Sequence, residues 1–127
     1  MNDKKGLTSS QEDYLKEIYI MVQQNTEVRV TDVARILGIS KPSVNRAMNM
    51  LKEQGYIEHE HYGTIKMTEA GLAAGENIYE TYRTVCRFLV EVLGVKESEA
   101  AEEAHLIEHT ITKGTRKKMK KFLKKKK

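Results

Sequence analysis

The chain has 127 residues, enough for one compact domain or for a small domain with a helical appendage. No apolar run approaches the roughly 20 residues that cross a bilayer, and the polar N-terminus has no signal-peptide core. The one cysteine, Cys86, has no second thiol with which to form an internal disulfide, which fits a reducing compartment. We therefore expect a cytoplasmic protein that has no membrane partner.

The net charge of +4 combines an acidic body with a basic C-terminus. Ten of the 22 basic residues follow Thr112, and no acidic residue does, so the rest of the chain has 12 basic against 18 acidic residues and a charge near −6. A lysine run is usually a solvated chain end, and in a DNA-binding protein it also attracts phosphates without reading the sequence. We expect residues 124–127 to be a basic disordered tail.

The first predicted helix begins after the capping residues Thr8, Ser9 and Ser10 and ends before Asn25. Acidic residues lie in its first turn, where their negative charges stabilise the helix by interacting with the positive end of its dipole. Its apolar stripe at helical spacing consists of Tyr14, Leu15, Ile18, Tyr19 and Val22. A short strand is predicted next, at residues 28–30.

Residues 31–55 predict two short helices joined by a tight turn, which is the pattern of a helix-turn-helix. Thr31 is placed to cap the first helix, and Gly38 is a natural stop for it. Ser40 is placed to cap the second helix, whose first turn accepts Pro42 because no backbone N–H is needed there. The apolar residues that the second helix would bury are Val44, Ala47, Met48 and Leu51. In such a pair the second helix enters the major groove of DNA.

Two further strands, at residues 56–60 and 64–67, surround Tyr62-Gly63 and predict a small wing with which the strand at 28–30 can pair. A winged-helix module that contacts proteins is the alternative. The polar and basic outer face of the second helix favours a double-stranded DNA operator as the partner. The residues that we expect to contact DNA are Arg29, Thr31, Ser40, Lys41, Pro42, Ser43, Asn45, Arg46, Thr64 and Lys66.

Three helices are predicted after the wing. Thr68 is placed to cap a long helix that Gly94 ends, Ser98 is placed to cap the second helix, and residues 115–123 form the third. Three helices are too few to bury a core of their own, but two copies of the chain would complete a bundle. We therefore expect a homodimer.

The fold class is predicted as mainly α. A winged helix-turn-helix with a small β wing occupies residues 1–75, and a helical metal-binding and dimerisation region occupies residues 76–123. Gly71 and Gly75 lie in the long helix and cost it about 1 kcal/mol each relative to alanine. We expect close packing at both positions, because close packing would explain why a side chain is missing there.

The second of these helices carries His105, Glu108 and His109 at i, i+3 and i+4, which places all three on one helical face. Two imidazoles and a carboxylate held in this way suit a divalent transition metal. We expect Leu106 and Ile107 to bury the adjoining face and to fix the orientation of the helix. The alternative is an exposed polar face with two incidental histidines.

The same string, HLIEH, also fits the H-x-x-E-H pattern of inverted zinc peptidases, in which Glu108 would be the general base. A peptidase would need a larger fold, a substrate cleft and a third ligand on a separate helix. The chain is short and its first half predicts DNA binding, so we expect no catalysis and no small organic substrate.

The order of the segments SSQEDYLKEIY, the winged helix, IYETYRTVCRFLVEVLGV and EEAHLIEH resembles the diphtheria-toxin-repressor family of metal-dependent repressors over residues 9–123. In size the chain is similar to the shorter branch, which includes manganese transport regulators and has no C-terminal SH3-like domain. The resemblance implies a homodimer that represses metal-uptake genes when metal is plentiful. It also implies a metal that joins the first helix to the dimerisation helices.

By position, the resemblance implies that Asp13 on the first helix is a metal ligand together with the two histidines and Glu108, and Cys86 is a further candidate. Lys16 stands where the manganese branch carries a glutamate, which argues against a two-metal manganese site. Imidazoles shift preference away from Mn²⁺, so we expect Fe²⁺ or Zn²⁺ ahead of Mn²⁺. A winged-helix regulator without metal control, in which the histidine face is vestigial, is the alternative.

Overall fold

The computed structural model describes residues 7–24, 27–59 and 63–126. The helices and strands in chain order are α1 (Ser9–Gln24), β1 (Val28–Arg29), α2 (Val30–Leu37), α3 (Lys41–Glu53), β2 (Ile57–His59), β3 (Thr64–Met67), α4 (Glu69–Glu91), α5 (Glu97–Ile107) and α6 (Lys113–Lys126). The predicted fold class is confirmed, since the chain is mainly helical with one small sheet. The chain divides within α4 into two compact units. The first unit ends at Glu76, and the second runs from Asn77 to the last helix. Within the described ranges, no helix has the length and apolar character needed to cross a membrane.

The start of α1 is a reciprocal cap formed by Thr8 and Gln11. Thr8 Oγ1 accepts a hydrogen bond from the Gln11 backbone N–H at 3.1 Å, and Gln11 Oε1 accepts one from the Thr8 backbone N–H at 3.1 Å. Thr8 is one of the three predicted caps. Leu15 and Ile18 are fully buried, as the predicted stripe requires, and Met21 is a buried residue that the stripe left out.

The start of α2 differs from the prediction. Arg29 is the cap residue, and its backbone N–H donates to Asp32 Oδ2 at 2.9 Å. Thr31 therefore lies inside the first turn, and its predicted role as the cap is wrong. The reason is that the chain passes directly from the sheet into the helix: the backbone N–H of Val30, the first helical residue, donates to the Gly63 carbonyl oxygen at 2.9 Å.

The turn between α2 and α3 agrees with the prediction. Gly38 has φ 68° and ψ 34°, the left-handed conformation that glycine adopts without a Cβ penalty. Ser40 caps α3, because its Oγ accepts a hydrogen bond from the Ser43 backbone N–H at 3.3 Å, and Pro42 lies in the first turn. The buried residues of α3 are Val44, Ala47, Met48 and Leu51, which is the predicted set.

The three strands form one antiparallel sheet in the order β1-β3-β2. Ile65 on the central strand lies opposite Val28 on one side and opposite His59 on the other. The side chains of Val28, Ile57 and Ile65 are buried and belong to the core of the first unit. The predicted wing and its pairing with the first strand are thus confirmed. The predicted turn residue Tyr62 lies outside the described residues.

Thr68 caps α4 as predicted, because its Oγ1 accepts a hydrogen bond from the Gly71 backbone N–H at 3.1 Å. A Cβ on Gly71 would lie 1.9 Å from the Tyr56 carbonyl oxygen, and a Cβ on Gly75 would lie 2.7 Å from Tyr19 Cβ. Neither distance is possible without displacement of the neighbour. The expected close packing at both glycines is therefore confirmed.

In the second unit, α5 begins one residue before the predicted cap. Lys96 occupies the cap position without a side-chain capping bond, and Ser98 lies in the first turn, so its predicted role as the cap is wrong. Glu97 and Glu99 lie in the same turn. Their negative charges interact favourably with the positive end of the helix dipole, and this stabilises the start of the helix without a hydroxyl cap.

The last helix, α6, is longer than predicted. Thr112 caps it, because its Oγ1 accepts a hydrogen bond from the Thr115 backbone N–H at 3.2 Å. Helical structure continues through Lys126, so the expected disordered tail at residues 124–127 is wrong for all but the last residue, which lies outside the described residues. Leu123 is buried at the end of the inner face, and extending a formed helix by one turn costs little.

Candidate functional site

The outer face of α3 is polar and basic. Lys41, Asn45 and Arg46 are exposed on this face, and Ser43 is half-buried. Ser40 Oγ donates to Ser43 Oγ at 2.9 Å, and Arg46 Nη2 donates to the same oxygen at 3.2 Å. The Ser43 hydroxyl, itself bonded to Ser40, thus holds the guanidinium along the first turns of the helix. An arginine restrained in this way loses less side-chain freedom when it binds a base edge or a phosphate.

The wing brings two more of the predicted DNA-contact residues together. Arg29 on β1 lies opposite Thr64 on β3 in the sheet register. Arg29 Nη2 donates to Glu27 Oε2 at 3.0 Å, and Thr64 Oγ1 donates to the same oxygen at 3.2 Å. Lys66 is exposed two residues further along β3. The sequence did not indicate that Glu27 would hold these two side chains together, because one of them, Thr64, is 37 positions away along the chain.

The end of α5 places a carboxylate beside an imidazole. Glu108 has no exposed surface, and its Oε2 lies 3.7 Å from Nε2 of His109, whose side chain is 9% exposed. The Glu108 backbone N–H donates to the Ala104 carbonyl oxygen at 2.9 Å, so helical geometry continues past the last residue of α5. The rings of His105 and His109 are 6.0 Å apart between centroids and inclined by 72°. The predicted histidine face therefore exists, although α5 itself ends before Glu108.

The donor set at this end of α5 fits a divalent transition metal. A buried carboxylate oxygen and an imidazole nitrogen less than 4 Å apart can both reach one ion, and mixed nitrogen and oxygen ligands are accepted by Fe²⁺, Mn²⁺, Co²⁺ and Zn²⁺. Leu106 is 69% exposed, so the prediction that it buries the adjoining face is wrong. Ile107 is half-buried.

The remaining predicted ligands occupy different elements. Asp13 is half-buried on α1, in the first unit, and Cys86 is half-buried on α4, in the second. Among the described residues, Cys86 and His105 belong to no cluster of three or more potential ligand atoms that could hold one ion. Ligation by each of these residues stays a prediction. Lys16, one turn from Asp13, is 2% exposed. This burial is unexpected, because lysine is seldom buried in proteins.

Two family models match consecutive parts of the chain. Residues 6–65 match the iron dependent repressor, N-terminal DNA binding domain, and residues 68–127 match the iron dependent repressor, metal binding and dimerisation domain. The chain belongs to the iron-dependent repressor family. The resemblance inferred from the sequence is thus confirmed, as are DNA binding and metal-dependent regulation. Because this is a family of regulators and not of enzymes, the peptidase alternative is wrong.

Individual relatives agree with the family. An uncharacterized HTH-type transcriptional regulator of Methanocaldococcus jannaschii is 34% identical over 120 residues, which are 94% of this chain and 96% of the relative. The HTH-type transcriptional regulator MntR of Geobacillus thermodenitrificans is 29% identical over 105 residues, 83% of this chain and 74% of the relative. The crystal structure of the metal-dependent transcriptional regulator MtsR has a TM-score of 0.82 at 29% identity over 93% of this chain. This chain spans 55% of the MtsR chain.

Proposed function

We propose that the chain is a homodimeric transcriptional repressor of metal-homeostasis genes in the cytoplasm and that one divalent metal per subunit controls its binding to an operator. The proposal is carried by the buried Glu108 carboxylate, which lies 3.7 Å from the His109 imidazole. In this proposal residues 1–75 bind DNA, and residues 76–123 bind metal and form the dimer.

The proposed ligands are Asp13, His105, Glu108 and His109. Glu108 and His109 are supported by the 3.7 Å between their side chains, and His105 by its place on the same helical face. Asp13 is supported by its match to the first-helix ligand of the family. Cys86 is a further candidate, although a half-buried cysteine is more often a small core residue than a ligand. When bound, the metal would supply a positive charge to which imidazole nitrogens and carboxylate oxygens both coordinate.

Control of DNA binding requires that the metal favour one arrangement of the two units. A ligand with equal affinity for both arrangements shifts no equilibrium, however tightly it binds. A ligand set drawn from α1 and from the end of α5 would meet this requirement, because only one arrangement would complete it. Chelation tests whether the metal acts through this ligand set.

The metal that we propose is Fe²⁺ or Zn²⁺ ahead of Mn²⁺. Two imidazoles shift the preference away from the oxygen-rich sites that suit Mn²⁺. Lys16 supports a single metal, because a lysine stands one turn from Asp13 where the manganese branch carries a second carboxylate. We expect Lys16→Glu to raise the Mn²⁺ response, as measured by the Mn²⁺ concentration that gives half-maximal operator binding.

At the operator, we propose that α3 reads base edges and that the wing contacts phosphates. Arg46 is the best candidate for a bidentate contact to guanine, because its planar fork matches the two acceptors of that base. The hydroxyls of Ser40 and Ser43 and the wing residues Arg29 and Thr64 are proposed to contact the backbone. Phosphate contacts fix the position of the protein, and base contacts supply the specificity.

The test is the operator affinity of the full chain with added metal and with a chelator, on DNA selected from a random pool by binding in the presence of metal. For the wild type we expect chelation to weaken binding by about 5- to 150-fold, the usual range of coupling between two ligands. Asp13→Ala and His109→Ala should remove most of this difference, while the dimer and the helical content stay unchanged.

The matched control is Glu103→Ala, which removes an exposed carboxylate from α5, five residues before Glu108. It should keep the wild-type response to chelation. If chelation leaves the affinity of the wild type unchanged, the metal switch proposed for these ligands is wrong.

A further inference from the structure

The outer face of α6 carries lysine in place of the mixed polar side chains of α3. At about 3.6 residues per turn, five lysines share the side of the helix opposite the buried Leu123. These residues, which we call the lysine face, are Lys117, Lys118, Lys121, Lys124 and Lys125, and all five are exposed. In the part of the chain that the structure describes, none of them forms an ion pair with an acidic side chain.

This arrangement opposes helix formation. Lys117, Lys121 and Lys125 follow one another at i and i+4, where like charges destabilise a helix. A helix of 14 residues is also at the length where isolated helices are marginal in water. The helical state of α6 therefore depends on contacts with the rest of its unit.

The first of these contacts is made by Arg116, on the inner side of α6. Its Nη1 donates to the Asn77 side-chain oxygen at 2.7 Å, to the Asn77 carbonyl oxygen at 3.0 Å and to Thr81 Oγ1 at 3.0 Å. Thr81 is 4% exposed and Arg116 is half-buried, so these hydrogen bonds are partly shielded from water. Charge-assisted hydrogen bonds of this kind are stronger than neutral ones, and they fix the first turn of α6 on α4.

Further contacts follow along the helix. Lys120 Nζ donates to Glu80 Oε2 at 2.5 Å, and the rings of Phe122 and Phe88 lie 5.9 Å apart between centroids. Leu123 is buried at the end of the contact. One side of α6 is thus bound to α4 over about two turns, which keeps the lysine face in helical order on the other side.

We propose that the lysine face is a second DNA-contact surface, which binds the phosphate backbone without reading the base sequence. The proposal rests on the DNA-binding function proposed for the winged helix and adds a surface that is separate from α3 and the wing. Successive lysines stand one turn, about 5.4 Å, apart along the helix. Each is a compact point charge of the kind that binds phosphate oxygens.

Charge also favours DNA as the partner. Without the ten basic residues that follow Thr112, the chain would have a net charge near −6, which repels a polyanion. An interface with another protein is less suited to this face, because lysine is depleted in such interfaces and aromatic and arginine anchors are enriched. The lysine face contains neither aromatic residues nor arginine.

The experiment compares the full chain with the triple variant Lys117→Gln, Lys121→Gln and Lys125→Gln. Glutamine keeps the length and helix propensity of the side chain but removes its charge. Affinity is measured for the selected operator and for random duplex DNA of equal length, across a series of salt concentrations. Each lysine that contacts a phosphate should contribute about 0.9 to the slope of log affinity against log salt, or about 2.7 per subunit for three.

If the proposal is correct, the affinities for operator and random DNA fall together, the salt slope decreases and the ratio between the two affinities stays constant. The triple variant with arginine at the same three positions is the matched control and should keep the wild-type slope. An unchanged slope on random DNA would overturn the proposal. A decreased salt dependence of dimer dissociation with unchanged DNA binding would also overturn it, because the face would then bind the acidic surface of a second copy.

The two proposals can fail separately. Binding to random DNA requires neither an operator nor a metal switch, so the lysine face can be assessed even if the repressor function is wrong. Conversely, Arg46→Ala should change the ratio of the affinities for operator and random DNA. Its salt slope should change less than that of the α6 triple variant. The helical content of each variant is checked by circular dichroism.

Discussion

The recognition helix α3 and the basic helix α6 are of similar length, yet they are held in place by different means. Four apolar residues of α3 are buried in the core of its unit, and its outer face mixes serine, asparagine, lysine and arginine. The inner side of α6 is held by a charged hydrogen-bond network around Arg116 and by the buried Leu123. Its outer face is lysine.

This difference suits the two proposed tasks. Reading a base edge requires a donor or acceptor at a fixed place, which a helix that is rigidly packed in a core and carries varied polar side chains can supply. Attraction to phosphates requires charge but little precision, because the counterion atmosphere surrounds the whole duplex. A helix held by a few polar contacts is adequate for that purpose.

The largest expected effect tests the difference in anchoring. Leu51→Ala should lower the free energy of unfolding of the first unit by about 2–5 kcal/mol, because it opens a cavity beside fully buried neighbours. Leu123→Ala should instead expose α6 to local unfolding while the first unit keeps its stability. Denaturation followed by circular dichroism measures the first change, and the rate of trypsin cleavage at the lysines of α6 measures the second.

Equal loss of stability of the first unit in both variants would contradict this difference. The control is Leu106→Ala, which removes a side chain that is 69% exposed on α5 and should change neither measurement. Surface substitutions of this kind usually change stability by less than about 0.5 kcal/mol.

A smaller effect tests the difference in DNA contact. Arg46→Ala should cost about 1–3 kcal/mol of discrimination at one base position in each half-site, if its guanidinium binds guanine in two places. Lys118→Ala on the lysine face should weaken binding to all sequences alike. The measurement is the affinity for the operator and for a set of single-base variants of it at one salt concentration.

The control for Arg46→Ala is Arg35→Ala. Arg35 is exposed on α2 and pairs with Asp32 at 3.1 Å, so its removal should leave base discrimination unchanged. A uniform loss of affinity across all the variant sequences would reduce Arg46 to a phosphate contact.

The same two helices show what the sequence could predict. The cap at Ser40, the position of Pro42 and the buried residues of α3 follow from local rules, and all agree with the structure. The docking of α6 depends on Arg116 and Asn77, which are 39 positions apart, and no local pattern pairs them. For that reason the sequence predicts a short helix at residues 115–123 and a disordered tail, where the structure has one helix, Lys113–Lys126.

The candidate metal site shows the same limit. The spacing of His105, Glu108 and His109 was sufficient to locate the face, because a helix repeats with a known period. The exposure of Leu106 could not be predicted, since it depends on what packs against α5. The burial of Lys16 is a similar case, because lysine is among the residues least often buried.

The smallest expected effect is a pH dependence of the contact between α6 and α4. The hydrogen bond from Lys120 holds the pKa of Glu80 below its ordinary value of 4.5, burial opposes this shift, and the charges of Lys120, Arg83 and Arg116 add to it. Because the pKa is lowered in the folded chain, the stabilising contribution is present above 4.5 and is lost as the pH falls through the lower folded value. The protection of α6 backbone amides against hydrogen exchange, corrected for the intrinsic rate, should therefore decrease in that window.

Glu80→Gln should remove this part of the acid sensitivity, because glutamine does not titrate. The matched control is Glu91→Gln, because Glu91 pairs with Arg87 on α4 itself, at 3.0 Å. Its loss should leave the pH profile of α6 unchanged. Both partners of the Glu80 pair are partly exposed, so the change should be small and should diminish with added salt. An acid sensitivity of α6 that persists in Glu80→Gln would show that another carboxylate holds the helix, and the contrast with α3 would then rest on Arg116 and Leu123 alone.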